Sequence, residues 1–382
     1  QDRLNESVAH YQTALSLRPN YPEGHNNFGN ALKAQGKLAD AEAQYRRAIA
    51  LLPDYTEAHN NLGNVLKDSG RLDDALACYE RACALKPDFL TAGNNLLMSL
   101  HYSARHSEAD FLTQARATAR QLEQGGLPRV FTNTPDPQRV LRIGYVSADF
   151  RDHPVGYFLD RVLPAHAKVA VAVTCYSNNI YADATTARLR AAAGQWRDIA
   201  GMPDAAAADL IARDAIDILV DLAGHTAHNR LRLFALKPAP VQMSWLGYFG
   251  TTGLAAMDYI LADRFVVPPE AEKFYAEKIW RMPDSYLCFA PPDLDVPVAH
   301  RRRGDDEPVT LGCFNNWAKA TPATIALWAE VLAAVPTARL FLKTKTLGDE
   351  AGRVDALASF AAYGIGPERL ILEGASPRAE LL

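Results

Sequence analysis

The chain has 382 residues, of which 48% are hydrophobic and 22% are charged, and its formal net charge is −4. This composition can build packed cores and excludes a disordered chain, and the slightly acidic balance argues against nucleic acid as the main partner. The sequence has no apolar run of about 18 residues and no signal-peptide pattern, so we expect no membrane partner and a cytoplasmic location. The five cysteines lack metal-ligand spacing and are expected to be reduced thiols.

The first part of the chain repeats itself every 34 residues, as Pro19, Pro53 and Pro87 show. Tyrosine, alanine, glycine and asparagine recur between these prolines in the same register. A helix-turn-helix unit of this length is a tetratricopeptide repeat. We therefore predict an α solenoid, a repeat superhelix with linking helices, over residues 1–130. It would contain a partial repeat, two complete repeats, a degenerate repeat and a further helix at 107–125.

One asparagine recurs on the first helix of successive repeats, at Asn27, Asn61 and Asn95. Residues that share a repeat position line up when repeats stack, so these side chains would form a ladder along the concave surface. The alternative is a structural role, in which the asparagines bridge adjacent helices.

After a proline-containing linker at 132–138, short apolar runs alternate with amphipathic stretches, which is typical of a doubly wound parallel sheet. The predicted strands are 140–146, 169–176, 216–222, 241–245, 259–262 and 278–281, with crossover helices at 182–193 and 204–213. A second unit of this kind follows the polar stretch 291–308, with strands 309–314, 339–343 and 369–372 and helices 322–334 and 350–362. We assign residues 139–300 to a Rossmann-like N-terminal lobe and 308–382 to the first part of a C-terminal lobe, with a ligand cleft between the two sheets.

Polar side chains follow the strands of the first sheet. Asp149, Asp152 and His153 come after the first strand, and His153 is the best candidate for proton transfer because imidazole titrates near neutrality. The alternative for His153 is to cap the next helix. Asp217 and Asp221 share one face of the third predicted strand, which predicts two carboxylates near the strand end, with loop or helix-dipole hydrogen bonding as the structural alternative.

Further candidates follow the later strands. His225 lies in the loop after the third predicted strand, where it could contact a ligand or be structural. The fourth predicted strand ends in SWLGYFGTTG, whose glycines permit close approach of a ligand and whose hydroxyls, on Thr251 and Thr252, could bind it. Lys319 stands beside a predicted helix amino terminus, which favours an anion site, whereas a solvated surface lysine is the alternative. The sequence has no Walker motif, no dinucleotide fingerprint and no cluster of metal ligands.

Taken in order, these segments resemble the O-linked N-acetylglucosamine transferases, in a bacterial version. The repeats are followed by RIGYVSADFRDHP, LVDLAGHT, LFALKPAPVQMSWLGYFGTTG, MDYILAD, EKIWRMP and CFNNWAKATPATIALWAEVL. The resemblance implies a repeat solenoid joined to a two-lobed α/β glycosyltransferase of the GT-B type. It implies an inverting enzyme that moves N-acetylglucosamine from a uridine diphosphate donor, UDP-GlcNAc, to serine and threonine hydroxyls of proteins. No cofactor and no essential metal are implied.

The resemblance also implies roles for particular residues. His153 matches a histidine near the acceptor hydroxyl that has been proposed as a general base. Asp217 falls where some members have another proposed proton acceptor, a histidine, and His225 is a further alternative base. Lys319 would contact the donor's diphosphate and stabilise the leaving group, with Asn316 beside it.

Other parts of the donor and acceptor sites follow from the same resemblance. Gly247 and Phe249 would line the sugar pocket, and Phe249 stands where relatives usually carry proline, a departure that concerns sugar specificity. Arg378 matches a segment that approaches the uracil. The recurring asparagines of the repeats would hold the backbone of an acceptor peptide. A further phosphate-binding loop would lie beyond Leu382, so we expect the natural protein to continue and the second lobe to be incomplete here.

Two other interpretations stay open. The repeats and lobes could form a non-catalytic scaffold that binds nucleotide, an interpretation that the departures at Asp217 and Phe249 favour slightly. Alternatively, a related transferase could use another sugar or another acceptor.

Overall fold

The repeated part of the sequence folds into helices, as predicted. The computed structural model describes residues 2–124, 130–136, 138–289, 304, 307–377 and 380. Its first helices are α1 (Asp2–Leu17), α2 (Pro22–Ala34), α3 (Leu38–Leu51), α4 (Thr56–Asp68), α5 (Leu72–Leu85), α6 (Leu90–Leu100) and α7 (Glu108–Leu122). The last of these begins with a capping box, in which the side chains of Ser107 and Asp110 each accept the other's backbone N–H.

One tyrosine in each complete repeat packs the paired helices together. Tyr45 and Tyr79 are fully buried, and each ring lies against a glycine of the preceding helix. An added Cβ on Gly29 or Gly63 would lie 2.6 Å from the ring, so only glycine leaves room for it. The Tyr45 hydroxyl donates to Asn30 Oδ1 at 2.7 Å, which satisfies its buried polar end. Glycine and tyrosine therefore recur in the sequence with the same spacing at which the paired helices pack.

The described chain divides into two compact units. One consists of Gln1–Ala92, Ser99–Arg105 and Asp293–Leu382, and the other consists of Gly93–Met98 and His106–Pro292. The predicted boundaries 1–130, 139–300 and 308–382 stay an interpretation of the sequence. Among the described residues, none of the helices has both the length and the apolar character that crossing a bilayer requires.

The first α/β region forms a sheet of seven parallel strands. In chain order its elements are β1 (Leu141–Ser147), α8 (Pro154–His166), β2 (Val171–Ser177), α9 (Ala184–Ala192), β3 (Gln195–Asp198), α10 (Asp204–Arg213), β4 (Ile218–Asp221), α11 (Leu231–Ala235), β5 (Val241–Ser244), β6 (Tyr259–Ala262) and β7 (Lys278–Arg281). The strand order is β3-β2-β1-β4-β5-β6-β7. This is the doubly wound arrangement that the alternating pattern predicts.

One strand, β3, is not among the predicted strands. Its residues read QWRD, which contains no apolar run, and they are only partly buried because β3 is the edge of the sheet. The third and fourth predicted strands are therefore β4 and β5.

The order of the strands places a crevice beside β1. The chain leaves β1 toward β2 on one side, and it later returns to place β4 on the other side. In open parallel sheets, ligands bind beyond the carboxyl ends of the strands at such a switch point. The loops there are residues 148–153, after β1, and residues 222–225, after β4.

The second α/β region forms a sheet of three parallel strands, as predicted. Its elements are β8 (Thr310–Cys313), α12 (Pro322–Ala334), β9 (Arg339–Lys343), α13 (Glu350–Ala361) and β10 (Leu370–Glu373), with the strand order β10-β9-β8. The core includes Leu332, Leu340 and Phe360, which pack between the helices and the sheet. Most of the predicted polar stretch 291–308 lies outside the described residues.

Candidate functional site

His153 occupies the loop after β1 at the switch point of the first sheet. It is the N-cap of α8, and its Nδ1 accepts a hydrogen bond from Val155 N at 3.3 Å. Pro154 follows at the first helical position, where its fixed φ favours the start of a helix. An accepting Nδ1 carries no proton, so the neutral ring holds its proton on Nε2. The side chain is 37% exposed, which leaves Nε2–H able to reach a ligand while Nδ1 caps the helix.

Two charged neighbours act on His153. Asp149 Oδ2 lies 3.7 Å from Nδ1, and Arg151 donates to Asp149 Oδ1 at 3.0 Å. Burial lowers the pKa of His153, Asp149 raises it and Arg151 lowers it, with a net value below the ordinary 6.5. The ring is therefore neutral at pH 7, and it presents a hydrogen-bond donor at Nε2.

Asp152, beside His153, has a structural role in the same loop. Its backbone N–H donates to Asp183 Oδ2 at 2.7 Å, and its carboxylate accepts from the Tyr157 hydroxyl at 2.5 Å. These contacts tie the start of α8 to the start of α9.

Asp217 lies at the amino ends of the strands, whereas His153 lies at their carboxyl ends. Asp217 directly precedes β4, whereas Asp221 ends that strand, so the predicted pair of carboxylates near one strand end is wrong. Arg139 donates to both oxygens of Asp217, at 2.5 and 2.7 Å, and Asn133 donates to Oδ1 at 2.6 Å. Asp217 therefore fastens the linker to the sheet, and its position argues against a role as alternative base.

Replacing Asp217 with Asn should destabilise the protein in a pH-dependent way. Burial raises the pKa of Asp217, but hydrogen bonds from Arg139, the Arg142 N–H and Asn133 lower it to about 2. Since this folded value is below the unfolded one, the carboxylate stabilises the fold above about pH 4 and loses its effect as the pH falls through about 2. We expect Asp217→Asn to lower the free energy of unfolding by about 1–2 kcal/mol at pH 7 and by roughly half as much at pH 3.

Urea unfolding at the two pH values measures this difference. The control is Asp198→Asn, which removes an exposed carboxylate that is paired with Arg190 at 3.1 Å. An equal loss of stability at pH 7 and pH 3 for Asp217→Asn would contradict the proposed ion pair.

His225 is held by protein groups on both ring nitrogens. It is only 1% exposed. Its Nε2 donates to the Thr252 carbonyl at 3.0 Å, and its Nδ1 lies 2.8 Å from Asn94 Oδ1. The edge of the ring also packs against Tyr248. These contacts favour the structural alternative for His225 over contact with a ligand.

The segment after β5 passes very close to the loop after β4. An added Cβ on Gly247 would lie 1.9 Å from the Leu222 carbonyl oxygen, so this position requires glycine. Gly224 has φ +53°, and a Cβ there would also strike Tyr248 at 2.4 Å. Phe249 follows Gly247 by two residues and is 49% exposed, so its ring is accessible to a ligand.

A buried carboxylate that the sequence analysis did not single out holds this segment. Glu277 is 5% exposed and accepts hydrogen bonds from Thr251 Oγ1 at 2.6 Å, from Thr252 N at 2.7 Å and from the Thr252 hydroxyl. The hydroxyls of Thr251 and Thr252, which the sequence offers as possible ligand contacts, therefore both donate to Glu277 instead. The only sequence signal was an acidic residue directly before β7.

Asp221 is buried at the end of β4. It accepts backbone hydrogen bonds from Ala223 at 3.1 Å and from Gly224 at 2.8 Å, which shape the loop after the strand. Burial raises the pKa of Asp221, these hydrogen bonds lower it and Glu277 raises it, with a net value of about 6. Because the folded pKa is above the unfolded value, ionisation of Asp221 costs stability as the pH rises from about 4 to about 6.

A small cavity lies at the second sheet, in the other unit. Its volume is about 110 Å³, and its polar lining residues are Asn315, Asn316, Lys319, Thr324 and Thr344. It adjoins the carboxyl ends of β8 and β9 and the amino end of α12. The positive end of the helix dipole and a lysine thus face the same small space.

Lys319 and Asn316 present donors at this cavity. Lys319 ends the short turn Trp317–Lys319, and its Nζ lies 3.5 Å from Asn315 Oδ1. Within the described residues, no carboxylate lies within the 4.0 Å ion-pair distance of this ammonium. Asn316 Oδ1 accepts from Ala318 N at 3.0 Å, which leaves its Nδ2 hydrogens available to a ligand. The turn therefore offers a cation and an amide donor with no anion of its own.

The asparagine row of the repeats is partly structural. Asn61 Nδ2 donates to Asn26 Oδ1 at 3.0 Å, which bridges α4 to α2. Asn26 is buried, and its Nδ2 points to Asn27 Oδ1 at 3.4 Å. Asn27 itself is exposed. The bridging alternative therefore holds for Asn61. A second, buried row, which includes Asn26 and Asn60, was not predicted.

The predicted site residues divide between the two units. The unit with the first sheet holds His153, Asp217, His225, Gly247, Phe249 and Asn95. The other unit holds Asn27, Asn61, Asn316 and Lys319. Arg378 lies outside the described residues, so its expected contact with uracil stays a prediction. In the part of the chain that the structure describes, no group of three or more histidine, cysteine or acidic residues is placed to hold a metal ion.

Plant proteins are similar in sequence to this chain over 63% of its length. The SPINDLY protein of Petunia hybrida, named as a probable UDP-N-acetylglucosamine peptide N-acetylglucosaminyltransferase, is 40% identical over 244 residues, or 63% of this chain and 26% of that protein. The SEC protein of Arabidopsis thaliana, with the same enzyme name, is 32% identical over 252 residues, or 63% of this chain and 25% of that protein. The chain thus spans about a quarter of the length of these curated relatives.

Family models and a solved structure agree with this similarity. The model described as Glycosyl transferase family 41 matches residues 127–300, and tetratricopeptide models match residues 1–36, 29–70 and 56–89. A solved structure of a Thermobaculum terrenum O-GlcNAc transferase mutant has a TM-score of 0.90 and 39% sequence identity, over 99% of this chain and 72% of that chain. With repeat helices followed by two parallel sheets in the same succession, the chain belongs to glycosyl transferase family 41, the family of the tetratricopeptide-repeat O-GlcNAc transferases.

Proposed function

We propose that the protein is an inverting, UDP-sugar-dependent protein O-glycosyltransferase that moves N-acetylglucosamine to serine and threonine hydroxyls. The observation that carries this proposal is the Lys319 turn, where a cation with no described carboxylate within ion-pair distance faces a cavity at the strand ends of the second sheet. The enzyme names of the plant and bacterial relatives support it. The proposal includes a GT-B arrangement, independence from metal and a cytoplasmic location.

On the donor side, Lys319 would bind the diphosphate of the nucleotide sugar. When the acceptor oxygen attacks the anomeric carbon, the bond from that carbon to the diphosphate oxygen breaks, and its electron pair stays on the leaving nucleotide. An ammonium placed beside this oxygen stabilises the developing charge. The Asn316 Nδ2 and the amino end of α12 would add donors to the same group.

On the acceptor side, His153 would contact the reacting hydroxyl or the sugar through Nε2. The hydrogen bond from Val155 N makes Nδ1 an acceptor, so the neutral ring first offers a donor at Nε2. To accept the hydroxyl proton at Nε2, the ring must carry its other proton on Nδ1, toward Asp149, and give up the helix cap. We therefore propose that His153 first orients the acceptor by donating a hydrogen bond, and that after this change of tautomer it accepts the hydroxyl proton at Nε2.

Two substitutions of His153 separate its capping role from its catalytic role. Asparagine is a good N-cap, so His153→Asn keeps the start of α8 but removes the imidazole, whereas His153→Ala removes both. We expect both variants to lose about 10²–10⁴-fold in the rate of sugar transfer, and only His153→Ala to lose stability. The measurement is transfer of radiolabelled N-acetylglucosamine to host proteins, with the enzyme at its natural full length.

The outcome of the same assay decides between the enzyme and the scaffold. Transfer at the wild-type rate by His153→Asn would remove His153 from the catalytic machinery. Binding of uridine diphosphate without any transfer by the wild-type protein would favour the non-catalytic scaffold. The departure at Asp217 no longer favours the scaffold, because Asp217 is paired with Arg139. Only the departure at Phe249 still supports it. A panel of nucleotide sugars tests whether Phe249 changes the sugar that is used.

A further inference from the structure

The end of the repeat helices reaches the Lys319 turn within one unit. Tyr102 follows α6, and Lys319 Nζ lies 5.9 Å from the centroid of its ring. Trp317, the first residue of the same turn, is buried against the connection between α4 and α5. An added Cβ on Gly70, in that connection, would lie 3.5 Å from Trp317 Nε1. The repeats thus contact both the base of the turn and its cation.

The partners of Lys319 are electrically neutral. Its ammonium has the face of Tyr102 and the amide oxygen of Asn315 at 3.5 Å, and no described carboxylate within 4.0 Å. An aromatic face attracts a cation without cancelling its charge. A carboxylate partner would instead compete with the phosphate oxygens of a ligand. A lysine held in this way is restrained before the ligand arrives, and its charge stays available to the ligand.

We propose that Tyr102 is a positioning residue that holds the Lys319 ammonium ready for the diphosphate of the donor. This inference rests on the proposed function, in which Lys319 binds that diphosphate. Its consequence is that the repeat helices form part of the donor site in addition to any contact with an acceptor. Loss of the ring should weaken donor binding by about 2–5-fold, the range that a partly exposed cation–π contact provides.

Calorimetric titration with uridine diphosphate, using the protein at its natural full length, tests the inference. Tyr102→Leu should bind about 2–5-fold more weakly than wild type, and Tyr102→Phe, which keeps the aromatic face, should bind as wild type does. The matched control is Phe89→Leu, because Phe89 faces the ammonium of Lys86 at 6.0 Å in the same repeat region. This control should leave the affinity unchanged. In transfer assays, Tyr102→Leu should raise the KM for the donor and leave the KM for the acceptor unchanged.

The outcomes separate this inference from the proposed function. If wild type binds uridine diphosphate and Tyr102→Leu binds it equally well, the positioning role is wrong and the proposed function stands. If Tyr102→Phe loses as much affinity as Tyr102→Leu, the ring face is not the cause, and the inference is also wrong. If wild type fails to bind uridine diphosphate at all, the proposed function itself fails. Should Tyr102→Leu not fold, Tyr102→Met replaces it, since methionine fills similar space without a ring.

Discussion

Lys319→Met should reduce the rate of sugar transfer by about 10²–10³-fold and leave the fold intact. The side chain is exposed, and its Nζ contacts the Tyr102 ring and makes one long hydrogen bond, at 3.5 Å, with Asn315 Oδ1. Removing the ammonium therefore leaves no buried partner unsatisfied. The rate should fall because the diphosphate leaving group loses the cation that stabilises its developing charge.

Two measurements check this expectation against a matched surface lysine. Lys319→Met should lower the rate of sugar transfer and the affinity for uridine diphosphate. Its melting temperature should equal that of the wild type. Lys168→Met, which removes an exposed lysine between α8 and β2, should leave both quantities unchanged. If Lys319→Met transferred sugar at the wild-type rate, the donor site would have to be sought elsewhere in the chain.

Glu277→Ala should lower the free energy of unfolding by about 2–4 kcal/mol. The substitution removes the acceptor of two threonine hydroxyls and of the Thr252 N–H, and it leaves space where the side chain was. These donors are buried, so water does not replace the lost acceptor without reorganising the segment 245–253. That segment carries Gly247 and Phe249 of the proposed sugar pocket.

Unfolding by urea measures the effect, and two further variants interpret it. Glu277→Gln keeps an amide oxygen that can accept from Thr252 N, so its loss of stability should be smaller. Glu272→Ala removes an exposed carboxylate that lies six residues before β7 and pairs with Arg281, and it should cost no more than about 1 kcal/mol. Equal losses for Glu277→Ala and Glu272→Ala would show that the buried hydrogen bonds contribute nothing measurable.

The helices and most of the strands could be predicted because their signals are local. Gly29 and Gly63 recur with Tyr45 and Tyr79 in a fixed period, and this period is the one in which the helices pack. Strands such as β1 are apolar over most of their length because they lie inside the sheet. The edge strand β3 has solvent on one side and carries polar residues, so its sequence QWRD gave no comparable signal.

The location of a site residue could be predicted only where its position in the chain, after a strand and before a helix, determines where it lies in the fold. His153 and Lys319 each follow a strand and precede a helix, and the carboxyl ends of parallel strands meet at one edge of a sheet. The prediction for Asp217 is wrong because the alternation of side chains along a strand shows which face a residue is on but not how far it lies from the strand end. Its partner Arg139 lies 78 residues away in sequence, beyond any local pattern.

By itself, the sequence determined the repeat solenoid, the two parallel sheets and the family, since each rests on periods and segments read along the chain. Only the tertiary structure decided which polar side chains have protein partners: His225 with Asn94 and Thr252, and the two threonines with Glu277. The physical reason is that a buried polar group must find a hydrogen-bond partner, and folding draws that partner from anywhere in the chain. Lys319, whose neighbours are a ring and an amide, is left with its charge available.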